Sequence, residues 1–219
     1  MNESIRERIA NIRQTLPPNV RLVAVSKYVS TTEIQAAYDA GIRDFGESKI
    51  QDLAEKQAEL SDLPDITWHL IGHLQSNKAK KALELCHWIH SVDSLKLAQR
   101  LNRLAAELSV TPQVFLQVKI LPDPNKFGWE VSQLMADLPL LNDCTHLKFR
   151  GLMAIAPLGL DESQTLDLFT KTRELCNQIT QQQWSHITLE DLSMGMSGDY
   201  LLAVKAGATV VRLGQILFG

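Results

Sequence analysis

The stretch Arg21-Leu22-Val23-Ala24-Val25-Ser26-Lys27 decides the fold, together with the helical segment 32–40 and the apolar run 43–47 that follow it. A short run rich in branched apolar residues reads as a buried strand, and the 3.6-residue period after it as a helix packed on that strand. Ser30, Thr31 or Thr32 can cap the start of the helix containing Ile34, and Gly41 stands where it must stop. Strand, helix and strand in this order form a parallel βαβ unit.

The same alternation continues along the chain. Six more apolar runs, 67–72, 88–93, 114–120, 148–155, 188–193 and 209–213, make eight with the first two. Helical segments are predicted at 49–60, 76–85, 94–108, 130–140, 162–181 and 198–206, and an extra helix at 5–16 precedes the first strand. Eight strands with helices between them predict a single α/β (β/α)8 TIM barrel with an added N-terminal helix, since closing a parallel sheet removes both edges. An open doubly wound sheet is the alternative. No Gly/Ser linker, charge block or low-complexity tract divides the chain, so 1–219 reads as one domain.

Composition narrows the function classes. The 219 residues are 45% hydrophobic and 21% charged, with a net charge of -3. This is ordinary globular chemistry without the basic excess expected of a nucleic-acid binder. Three cysteines, Cys86, Cys144 and Cys176, form no C-x-x-C pair and suit a reducing cytoplasm. No secretion signal or membrane span is expected.

A barrel gathers its chemistry at the C-terminal ends of its strands. Lys27 closes the first strand there, where partial desolvation and nearby cations favour a neutral amine able to attack an aldehyde. The loop Ser193-Met194-Gly195-Met196-Ser197-Gly198 after the seventh strand has small residues, two hydroxyls and the start of a helix, which suits a phosphate cradle. Arg212, followed by Gly214 and Gln215, ends the eighth strand, and its charge among apolar neighbours calls for an anion or acceptor. A structural carboxylate such as Glu47 or Asp93 is the bland alternative. Ser48 and His69 lie in two further rim segments, where they either serve the site or terminate the sheet. The pairs His69 with His73 and His87 with His90 lack the company of a zinc motif, so no metal is expected.

Ala24-Val25-Ser26-Lys27, Phe45-Gly46-Glu47, Trp68 to Gly72 with Leu74 to Lys78, His90 to Ser94, Arg150 to Met153, Leu192 to Ser197 and Val211 to Gly214 together resemble the pyridoxal phosphate homeostasis protein family. Its members are similar in fold to the barrel domain of alanine racemase. The resemblance implies pyridoxal 5'-phosphate as cofactor, held as a Schiff base on Lys27. It further implies a phosphate clamp from Ser193, Gly195 and Ser197 with the backbone of Gly214 and Gln215, and Arg212 facing the pyridine nitrogen. Ser48 departs from the asparagine usual in the family, and relatives commonly continue a few residues past Gly219.

Arginine opposite the ring nitrogen disfavours a proton there and makes the ring a poorer electron sink, which weakens carbanion chemistry. Tyr28, Tyr38 and Tyr200 lack a context marking any of them as the second acid/base group a racemase needs. The leading reading is therefore a cytoplasmic, monomeric, non-catalytic protein of vitamin B6 homeostasis that affects amino-acid and keto-acid balance indirectly. Its partners would be the cofactor and regulatory or cofactor-accepting proteins. Competing readings are a minimal racemase or decarboxylase, and a Schiff-base aldolase or other phosphate-binding barrel without cofactor.

Overall fold

The structure, a computed structural model, describes residues 4–123 and 126–219. Its strands are β1 Arg21–Val25, β2 Asp44–Glu47, β3 Thr67–Leu70, β4 Trp88–Val92, β5 Gln113–Lys119, β6 Trp129–Glu130, β7 Lys148–Met153, β8 Ile187–Ser193 and β9 Val210–Leu213. Among the described residues every pairing is parallel, and the order β4-β3-β2-β1-β9-β8-β7-β5 closes through β4 with β5. This is the closed eight-stranded barrel expected from the alternating runs. The two-residue β6 is appended to β5 outside that circle and lay beyond the reach of periodicity.

The helices between strands are α2 Thr31–Asp39, α3 Ile50–Glu59, α4 Ala79–Leu85, α5 Leu95–Leu108, α6 Val131–Asn142, α7 Glu162–Thr180 and α8 Tyr200–Lys205. The added helix α1, Ile5–Thr15, precedes the barrel and α9, Gln215–Phe218, follows it. Ser30 caps α2: its hydroxyl accepts from the Glu33 amide while the Glu33 carboxylate accepts from the Ser30 amide. Gly41 takes a φ of 88° just beyond that helix. None of the helices among the described residues is long and apolar enough to cross a membrane.

Two packed regions result. The layer between strands and helices is mainly apolar, including Ile34, Leu53, Leu101, Leu134 and Phe169. The barrel interior has a smaller apolar cluster of Val23, Trp88, Phe115, Met153 and Val210, with buried His69, His90, Ser193 and Arg212 beside it. At the end where the strands begin, Arg21 and Arg150 lie over the Trp88 ring.

The sequence placed Lys27 in β1, but the strand ends at Val25. Tyr28 adopts a φ of 64°, and the Val29 amide donates to the Ser26 carbonyl, so the chain turns out of the sheet. Lys27 consequently sits in a turn above the strand and is exposed, rather than partly desolvated as expected.

Candidate functional site

A cavity of about 500 Å³ opens at the C-terminal ends of the strands, within the size range of small-molecule sites. Its walls combine apolar and polar groups. Val25 at the end of β1, Ile71 beyond β3, Ile155 beyond β7 and Met196 beyond β8 supply apolar surface. Lys27, Ser48, Ser197, Arg212, Gly214 and Gln215 supply the polar groups. These six expected site residues come from four separate segments of the chain, brought to one rim because all the strands run the same way.

Arg212 is fixed deep in this cavity. It is 4% exposed, and burial pulls its pKa down to about 10, partly opposed by the charge of Asp199, so it stays protonated at neutral pH. Nη1 donates to Ser193 Oγ at 2.6 Å and Nη2 to the Ala154 carbonyl at 3.0 Å. Both acceptors are neutral. The candidate carboxylates Glu47 and Asp93 are engaged elsewhere: Glu47 with Lys56 at 2.7 Å and Asp93 with His73 at 2.9 Å.

The loop after β8 meets the start of α9 at Ser197. Its Oγ accepts from the amides of Gly214 and Ile216, each at 3.3 Å. From the residues of this loop alone, the amides of the anion site are expected from the helix predicted at 198–206. In the structure α8 begins at Tyr200, without a side-chain cap, and Asp199 Oδ1 instead accepts from the Met196 amide at 2.6 Å. The amides that meet Ser197 are those of Gly214, the cap residue of α9, and of Ile216 within it; Gly214 and Gln215, whose backbone the family resemblance assigns to the clamp, both line the cavity.

Three expected site residues lie behind the cavity. Ser193 is fully buried beneath Arg212. Gly195 takes a φ of 95°, and a Cβ there would stand 2.6 Å from the Ala203 Cβ, so packing of α8 accounts for this glycine. Its carbonyl accepts from the Arg212 amide at 3.0 Å. His69 is fully buried in the barrel interior, stacked on Trp88 and bonded to Asp44 and His90. His90 enters the sequence analysis only within a motif and in a histidine pair set aside as a metal site, and Asp44 is not singled out there. Alternation within each strand is the only sequence signal for their facing; the register of the folded sheet, which sets Asp44 beside Thr67 and His69 beside Trp88, turns these side chains inward together.

Residues 2–219 match the family of the alanine racemase N-terminal domain. A pyridoxal phosphate homeostasis protein of Synechocystis is 52% identical over 210 residues, covering 96% of this chain and 95% of that protein. The chain belongs to the pyridoxal phosphate homeostasis protein family. Another protein with that family name, from Pseudomonas aeruginosa, is 39% identical and covers 99% of this chain and 94% of its own. Among solved structures, Synechococcus elongatus PipY with PLP bound superposes at a TM-score of 0.95, with 52% identity, covering 99% of this chain and all of that one. The alanine racemase of Clostridium difficile, 14% identical at a TM-score of 0.78, shares the fold, and this chain spans 56% of its length. Homeostasis family members are thus matched end to end, whereas the racemase is matched along one part.

Proposed function

We propose that this chain binds pyridoxal 5'-phosphate in the cavity at the barrel mouth and serves cofactor homeostasis without turning over a substrate. The observation that carries the reading is the meeting, in one cavity, of the Lys27 amine, a buried arginine with neutral partners, and the Ser197 hydroxyl with the α9 amides. When bound, the cofactor supplies an electrophilic aldehyde and an electron-withdrawing ring. Lys27 would hold the aldehyde through Nζ, the apolar Val25, Ile71 and Ile155 would receive the ring, and Arg212 would donate to its nitrogen. Ser197, Gly214 and Gln215 would hold the phosphate, while Ser48 lines the same wall with a hydroxyl that can donate.

Arg212 also argues for a holding role. A guanidinium can only donate, so facing the ring nitrogen it would disfavour a proton there and limit the ring as an electron sink. In this reading the chain is one domain and a monomer acting in the cytoplasm, where its three free buried cysteines remain reduced. Regulatory or cofactor-accepting proteins are its further partners.

Purified protein supplied with pyridoxal 5'-phosphate is expected to turn yellow, to be trapped by borohydride at Lys27, and to lose both properties in Lys27→Ala. A colourless wild type, or a variant that still traps the cofactor, overturns the reading. The non-catalytic half is tested by deuterium exchange at the α-carbon of amino acids. Exchange near about one per second, an enzyme's pace, would make the chain a minimal racemase or decarboxylase instead.

A further inference from the structure

Behind the cavity, five polar side chains form a line through the barrel. Arg212 Nη1 lies 2.6 Å from Ser193 Oγ, Ser193 Oγ 2.8 Å from His90 Nδ1, His90 Nε2 2.9 Å from His69 Nδ1, and His69 Nε2 2.9 Å from Asp44 Oδ1. Ser193, His90 and His69 are all fully buried. Asp44 stands at the start of β2 and also meets Arg21 at 3.0 Å.

Donor and acceptor chemistry allows this line only one direction. The Asp44 carboxylate only accepts, so His69 donates to it from Nε2. With both rings neutral, His69 Nδ1 then accepts from His90 Nε2, and His90 Nδ1 accepts from the Ser193 hydroxyl. Arg212 only donates, and the second role of the Ser193 oxygen, accepting from Nη1, is compatible with this order. Burial is the main force holding both imidazoles below the ordinary histidine range, with Asp44 partly opposing it at His69, and this keeps them neutral links. Barrel interiors are ordinarily filled by branched apolar residues. Burying two imidazoles and a hydroxyl is costly unless each is bonded, and here each is.

We propose that Ser193, His90, His69 and Asp44 are positioning residues for Arg212, an ordered relay that gives the guanidinium a remote counter-ion at the far end of the barrel. The proposal rests on the reading that Arg212 donates to the cofactor's ring nitrogen. The relay occupies Nη1 on the side away from the cavity and, with the Ala154 carbonyl on Nη2, sets the face turned to the ring. Ser193 and His69 thereby act on the cofactor through Arg212.

The first test uses ¹⁵N-labelled, full-length protein without cofactor. Imidazole nitrogen shifts at neutral pH are expected to show His69 and His90 both protonated on Nε2 alone, and an Nδ1 proton on either ring overturns the relay. The second compares wild type, Ser193→Ala, Asp44→Asn and Arg21→Gln for uptake of pyridoxal 5'-phosphate labelled at its ring nitrogen. Ser193→Ala and Asp44→Asn should each weaken affinity about tenfold and move the ring-nitrogen shift. Arg21→Gln removes Asp44's other partner but keeps the relay, so it should match wild type in both. A wild type that takes up no cofactor defeats the underlying reading. Uptake by the wild type with unaltered affinity and shift in both relay variants defeats the relay alone, and the imidazole shifts decide if a variant does not fold.

Discussion

Gly195 shows how one position joins packing to the site. Its φ of 95° is a conformation that side-chain-bearing residues rarely adopt, and an added Cβ would also stand 2.9 Å from the Tyr200 Cα. Gly195→Ala is expected to cost about 3 kcal/mol from strain and overpacking combined, read as a lower urea midpoint. Three residues on, a Cβ at Gly198 meets nothing within 4 Å. Gly198→Ala should therefore stay within about 0.5 kcal/mol of wild type, and equal losses at the two positions would refute this account. The sequence marked both as small residues for ligand approach. Only coordinates separate a glycine required by α8 from one bordering open space.

Among the elements, α9 depends most on its neighbours. A four-residue helix cannot stand alone, and α9 is tied to α1 by Arg8 Nε, which donates to the Leu217 carbonyl at 2.7 Å. Its first turn carries the Gly214 and Ile216 amides that meet Ser197. Arg8→Ala should loosen that turn, making amide hydrogen exchange at Ile216 roughly tenfold faster, the effect expected for loss of a charge-assisted hydrogen bond. Unchanged exchange would show that α1 gives α9 no support. The extra N-terminal helix thus contributes to the cavity from outside the barrel, through a contact that periodicity could not reveal.

At the scale of the molecule, the buried imidazoles make stability depend on pH. His69 and His90 have folded pKa values below 6.5, chiefly through burial, and His87, which is exposed, is shifted the same way by partial desolvation of its ring. As pH falls below about 6.5 the unfolded chain takes up protons that the folded barrel refuses, so stability declines until the folded pKa values are reached. The decline is up to about 1.4 kcal/mol per pH unit for each imidazole. Asp44 adds a later loss: burial pushes its carboxyl up, but the His69 bond and Arg21 together hold it below the usual range, so its contribution disappears in stronger acid. Urea midpoints should fall between pH 7.5 and 5.5, and less steeply in His90→Phe. A flat profile in the wild type would contradict neutral burial of the pair.

The alternation of apolar runs with helical segments determined a parallel α/β sheet, because period and order are local properties that each stretch of chain carries alone, whereas closure into a barrel rests on the pairing of β4 with β5. The same order placed Lys27, Ser48, Ser197, Arg212, Gly214 and Gln215 at strand ends, and hence on one rim. Which way a side chain turns, and what it meets across the barrel, depends on register between strands distant in sequence. Tertiary structure therefore decided that Lys27 rises on a turn, that Ser197 meets the Gly214 and Ile216 amides, and that Ser193 and His69 stand behind Arg212 in a line ending at Asp44.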